Sequence, residues 1–204
     1  MSNVLLNSIE NFFVLALAAI TVQNIVFSRA VGVSQLMSLI DDTTSTFIFG
    51  TLLTSVNLIS GILYYFFYTG VVAKSGLSAY FRPLSMVACA LVAFIIVYII
   101  AVKFAAYENI NKCIQAMPLA TFNCTVIGTL LLATTRQYSL GGVIGFNLGS
   151  SIGYILAVLL VTEGRRRIDF SKVPAAFRGL PVMLLYIAGL ALAVYGLTGY
   201  SFSF

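Results

Sequence analysis

The sequence predicts an all-α integral membrane protein: six transmembrane helices as two inverted three-helix repeats, with broken helices near Ser34 and Cys124. Three observations carry that expectation. The 204-residue chain is 60% hydrophobic and 8% charged, against about 25% charged residues in a soluble domain. It cannot coat a globule with charge, so lipid must be much of its solvent. Six apolar runs, at roughly 8–28, 44–68, 84–104, 114–134, 141–162 and 180–198, match the ~20 residues a helix needs to cross a bilayer. Runs this long favour helices over barrel strands, which alternate and are about half that length. Finally, the two halves of the chain read alike.

The elements follow in order. The first run has no basic segment before it and carries Glu10 early, so it reads as a retained helix and not as a signal peptide. The second ends in Tyr64, Tyr65, Phe66, Phe67 and Tyr68. Such aromatics suit an interfacial belt; a quinone pocket is the sharper alternative. The fourth run is interrupted by "ATFNCTVIG", Ala120 to Gly128. The fifth carries Gly141, Gly145, Gly149 and Gly153, one every four residues, a smooth stripe that lets another helix approach closely. Removing six spans leaves no room for a large soluble domain. The chain is therefore one membrane domain, 1–204, with repeat one about 1–104 and repeat two about 105–204.

The repeats rest on particular residues. "YFRPLSMVACALVAFIIVY" and "AFRGLPVMLLYIAGLALAVYG" place Phe81-Arg82 on Phe177-Arg178, and "FIFGTLLTSVNLISGILYY" on "GVIGFNLGSSIGYILAVLL" places Gly50 on Gly145. Three spans per copy insert the second copy upside down, and inverted repeats put working groups near the midplane at discontinuous helices. The polar stretch "RAVGVSQLMS", Arg29 to Ser38, corresponds to the interruption around Cys124. Backbone freed from a helix in hydrocarbon needs partners from protein, water or ligand. Asn24, Gln35 and Asn123 are the expected polar lining of that midplane, with Gln23, Ser34 and Thr125 nearby. The plainer alternative is ordinary interhelical hydrogen bonding.

Charge sets orientation. The net charge is +5, and Arg165, Arg166, Arg167, Lys172 and Arg178 cluster between spans five and six. The positive-inside rule makes the 163–179 loop cytoplasmic and puts both termini outside, in a prokaryotic plasma membrane. A juxtamembrane Arg run touches anionic headgroups, so no nucleic-acid partner is expected. The cysteines are Cys89, Cys113 and Cys124, and there is no histidine. That excludes His-dependent zinc sites, catalytic triads and haem held by an internal His. No carboxylate sits mid-span, which argues against an ion-binding carboxylate here. No dinucleotide fingerprint or phosphate loop is present. Nothing in the chain supports a standalone enzyme.

The segments "QNIVFSRAVGV", "MPLATFNCTVIG" and "DFSKVPAAFRGLPVMLLYIAGLALAVYG" resemble the A subunit of the Rnf electron-transfer complex and its relative, the E subunit of the sodium-pumping NADH:quinone reductase. The resemblance covers essentially the whole chain. It implies a homologous six-helix partner of opposite orientation, and a [2Fe-2S] cluster shared with that partner at the midplane. It also implies flavin and iron–sulfur partner subunits, with flavins on the partners only. Thiolates suit iron because they are soft. Under this resemblance one family cysteine falls on Cys124, while the other falls on Ser34. The family's first ligand is thus missing, and Gln35 replaces the proline after it. Three expectations stay open. The chain passes electrons through a shared cluster, with or without coupling to ion transport; or it scaffolds a complex after losing that cluster; or it is the substrate-binding membrane module of a vitamin-type transporter.

Overall fold

The computed structural model describes residues 12–21, 23–29, 43–72, 78–104, 110–168 and 173–198. Ser34 and Gln35 lie outside them, as does the side chain of Cys113. Helix α1 covers residues 12–20 and α2 Ile25–Arg29. Helix α3, Thr43–Phe67, ends in a π-helical turn, Tyr68–Val72. Then come α4, Ser78–Phe104, and α5, Ile110–Thr121. Helices α6, Cys124–Thr135, and α7, Leu140–Arg167, follow. A 3-10 turn, Ala175–Phe177, leads into α8, Leu180–Thr198. There is no strand among the described residues.

Among the described residues, four stretches are long and apolar enough to cross a membrane: Thr46–Val71, Phe81–Lys103, Ile114–Thr135 and Leu140–Arg167. The third joins α5 and α6 across a break. Leu180–Gly196 is apolar but shorter. The N-terminal run is divided into α1 and α2.

Helices α3 and α7 form the centre. Gly50 lies against Ile155 and Gly61 against Asn147, so the two run antiparallel with backbones close together. Helix α3 also packs on α4, α5 and α6. In lipid no hydrophobic drive brings helices together, so fit and hydrogen bonds must do it. Both are present at this seam. Asn57 donates to the Asn147 carbonyl at 3.1 Å, and Asn147 donates to the Asn57 carbonyl at 3.2 Å. Thr129 of α6 donates to Asn57 Oδ1 at 2.7 Å, and Asn57 Nδ2 also reaches Ser151 Oγ at 3.0 Å. Three helices are thereby tied at one buried point. The outer face of α4 is different: Leu84, Leu91, Ile95 and Ile99 are exposed, as suits an apolar solvent.

Helix α7 has a second close neighbour. A Cβ on Gly145 would meet the Phe12 backbone, and one on Gly149 the Ala16 carbonyl oxygen. At Gly153 it would lie 3.1 Å from the Ala19 carbonyl oxygen. At Gly142 it would lie 2.9 Å from Leu15 Cδ1. The occupant of this groove is α1. Gly141 is only half-buried, because it is turned away from that line; Gly142 takes the end position.

The stretch before α8 has a local explanation. Arg178 Nε donates to the Val173 carbonyl at 2.9 Å, closing the loop around the 3-10 turn. Gly179 has φ +86°, a conformation that L side chains rarely adopt. Val-Pro-x-x-Phe-Arg-Gly is thus a turn with a fixed exit into α8.

Candidate functional site

Both helix breaks are built around an asparagine. At the first, α1 ends at residue 20 and Asn24 starts α2, with its Oδ1 accepting from Val26 N at 3.1 Å. Its Nδ2 donates back to the Ile20 carbonyl at 3.1 Å and across to the Gly153 carbonyl at 2.8 Å. One side chain therefore caps the new helix, closes the old one and anchors both to α7. This break comes about ten residues before the stretch around Ser34 that the sequence singles out. A short amide with both a donor and an acceptor can serve two helix ends at once, and only position 24 offers it there.

At the second break Pro118 lies inside α5 and lacks the N–H that continues a helix. Phe122 N still reaches the Pro118 carbonyl at 3.0 Å. Asn123 then adopts φ −71°, ψ 133° and its Oδ1 accepts from Thr125 N at 3.0 Å, an N-cap for α6. Asn123 and Thr125 are fully buried. Among the described residues, Asn123 Nδ2 and Thr125 Oγ1 have no hydrogen-bond partner. The Asn123 side chain faces the Tyr154 hydroxyl.

The fold brings the two breaks together. Asn24 bonds Gly153 and Asn123 faces Tyr154, consecutive residues of α7. Helix α2 packs on both α6 and α7. Between these buried amides and the surface sits Cys124, the first residue of α6, halfway along the span Ile114–Thr135. Its side chain is exposed. Leu119, Phe122 and Leu131 beside it are exposed too. The thiol therefore points out of the bundle through an apolar face. Among the described residues no three His, Cys, Asp or Glu side chains gather as a metal site. As a donor set, one outward thiol fits a single ligand of a cluster that another chain completes. It does not fit a metal held by this chain's described residues alone. Cys89 is half-buried, packed against the main core.

Gly145 and Gly149 serve as the groove for α1, while Gly153, at the end of that groove, lies against the first break and accepts from Asn24. The Asn57–Asn147 pair, Thr129 and Tyr154 were not anticipated from the sequence. A signal for the pair was there: Asn-Leu recurs inside two apolar spans, at Asn57-Leu58 and Asn147-Leu148. An amide in an apolar span must find a partner.

The profile of a family described as "Rnf-Nqr subunit, membrane protein" matches residues 12–201. The chain is 31% identical to the A subunit of the Na(+)-translocating ferredoxin:NAD(+) oxidoreductase complex of Acetobacterium woodii, over 90% of this chain and 94% of that protein. It is 26% identical to the E subunit of the Na(+)-translocating NADH-quinone reductase of Chlamydia muridarum, over 96% and 84%. A shorter match, 34% identical, covers 53% of this chain and 60% of the A subunit of the ion-translocating oxidoreductase complex of Aromatoleum aromaticum.

Proposed function

The chain belongs to the Rnf-Nqr subunit family, and from that premise we propose that it is the membrane subunit of an ion-translocating redox complex that carries electrons across the bilayer at the paired helix breaks. The relatives above are subunits of multi-subunit complexes, so further subunits are part of the proposal. The observation that carries it is the exposed Cys124, held at mid-span by a capped break and aimed out of the bundle. A homologous subunit of opposite orientation is the partner that face calls for, with flavin and iron–sulfur subunits beyond it.

Cys124 would hold a [2Fe-2S] cluster from this side, and such a cluster supplies one-electron transfer. The chain's own residues do the positioning. Asn123 fixes the start of α6, so the Cys124 backbone cannot slide along its helix. The exposed Leu119, Phe122 and Leu131 keep water away once a second subunit covers them, and a low-dielectric surround strengthens charge interactions. The open Asn123 Nδ2 and Thr125 Oγ1 leave a donor and a hydroxyl for a polar group or ordered water at that depth.

The proposal includes six spans as two inverted repeats: α1 with α2, α3, and α4, then α5 with α6, α7, and α8. The reciprocal Asn57–Asn147 bonds support it, since a two-fold axis in the membrane plane would make such bonds mutual. The Arg165–Arg167 end of α7 is placed in the cytoplasm of a prokaryotic cell. Family membership gives no support to the vitamin-transporter reading.

The test is iron content and EPR of the intact complex. Cys124→Ala should abolish a cluster signal and stop transmembrane electron flow, because a methyl group cannot coordinate iron. Ser34→Cys should raise iron occupancy or shift the reduction potential. A complex without iron, in which Cys124→Ala transfers electrons normally, would make this chain a scaffold.

A further inference from the structure

The arginine run at the end of α7 plays no part in the redox reading, and its setting points to a partner of its own. The stretch 163–179 holds five basic side chains against two acidic ones, so it stays positive however they pair. Helix α7 has 28 residues and is therefore about 42 Å long. The hydrocarbon core of a bilayer is roughly 30 Å thick, so the helix overshoots it. Ionised side chains are costly in hydrocarbon, and Arg165, Arg166 and Arg167 all sit in the last turn. That end of α7 therefore stands in the headgroup layer.

The three arginines are held differently. Arg167 Nε donates to Glu163 Oε1 at 3.0 Å, with both side chains exposed. Glu163 is the only carboxylate of α7. Arg165 is half-buried and Arg166 is exposed. A guanidinium is a flat fork of donors that matches a phosphate, and it keeps its charge at physiological pH. Three in a row offer more donors than one carboxylate can satisfy.

Helix α8 brings apolar surface to the same rim. Its Tyr186 ring covers Gly164, where a Cβ would collide with it, so the two helices lie side by side next to the arginines. The turn that enters α8 leaves Phe177 51% and Leu180 63% exposed, on either side of Arg178. Large apolar side chains beside a basic cluster suit the boundary between headgroups and acyl chains. An acidic protein surface would answer the charge but not the depth. The other end of α7 lacks the pattern, because Arg136 is the one charged residue in the turn 136–139 before it.

We infer that this rim is a docking surface for anionic phospholipid, with the phosphate against the arginines of α7 and the acyl chains against Phe177 and Leu180. A lipid so held pins the corner between α7 and α8 at a fixed depth. The inference goes beyond the redox reading. It needs neither a cluster nor a particular orientation of the chain, because its test reads lipid binding alone.

The experiment uses the full-length chain in nanodiscs made from equal amounts of phosphatidylglycerol and phosphatidylcholine. Native mass spectrometry of the released chain counts which lipid stays bound, and the ratio of the two one-lipid species is the selectivity. The wild-type chain should retain phosphatidylglycerol in preference. One arginine near a membrane surface contributes enough that Arg166→Gln should lower the selectivity about fivefold. Arg165→Gln, Arg166→Gln and Arg167→Gln combined should abolish it. Arg136→Gln, at the other end of α7, should leave it unchanged. Because Arg166 is exposed, Tm of Arg166→Gln in pure phosphatidylcholine should hold, which separates lost selectivity from lost fold. Equal retention of both lipids by the wild type, or full selectivity in the triple variant, overturns the inference and leaves the charge to a protein partner or to orientation alone.

Discussion

The two breaks use the same residue type for the same turn, yet they finish differently. Asn24 spends all its hydrogen-bonding groups inside the protein: one cap, one bond to the helix behind, one to α7. Asn123 makes the cap and faces Tyr154, and among the described residues its Nδ2 and the Thr125 hydroxyl have no hydrogen-bond partner. The first break is closed; the second is open, and it carries the exposed thiol. A joint that only bends the chain can be satisfied completely. Buried polar groups left open cost free energy, which suits a break that meets something outside this chain.

The largest expected effect comes from removing the support of the first break. Gly149→Leu must push the Ala16 backbone out of its groove, so α1 cannot dock and Asn24 cannot reach Gly153. Overpacking of this kind costs about 3 kcal/mol or more. Cross-linking between engineered cysteines at positions 15 and 142, neighbours across the same groove, would register the loss of docking against a parent lacking native cysteines. Retained docking would mean that this face of α7 tolerates bulk.

Asn24→Ala comes next. It removes three hydrogen bonds, worth about 1 kcal/mol each, for a destabilisation of about 3 kcal/mol in steric-trapping or thermal unfolding measurements. Asn123→Ala sharpens the contrast. It loses one cap, about 1 kcal/mol, but also removes a buried amide with an unpartnered nitrogen, which carries a penalty of similar size. Its net change should stay within about 1 kcal/mol. Equal costs at the two asparagines would show that the second break is closed as well.

The smallest effect on stability belongs to Cys124→Ala. An exposed side chain that makes no capping bond and packs in no core changes stability by roughly 0.5 kcal/mol or less, so Tm of the isolated chain should hold while electron transfer in the complex fails. A large fall in Tm would reassign the cysteine to packing.

Much of this was legible in the residues. Apolar runs of bilayer length set the helices, and the family motifs stand in the chain where they can be seen. The break at Cys124 was legible because "ATFNCTVIG" sets polar residues inside an apolar run, and Asn123 among them caps α6. The break expected near Ser34 lies outside the described residues, and the structure shows another at Asn24 that is not marked by proline or glycine. It is made by Asn24, whose decisive partner, Gly153, is 129 residues away, and no local pattern reports a bond of that separation.

By itself, then, the sequence determined what each segment must do: cross the bilayer as helix, break where polar residues with a capping amide interrupt an apolar run, and turn sharply at Gly179. Those are consequences of local backbone chemistry and of a solvent that offers no hydrogen bonds. Only the tertiary structure decided which segments meet. It put α1 into the glycine groove of α7, joined Asn57 to Asn147, drew both breaks to Gly153–Tyr154 and turned Cys124 outward. Such choices depend on how surfaces fit between helices far apart in the chain, and the period of a helix says which residues share a face but not what that face will touch.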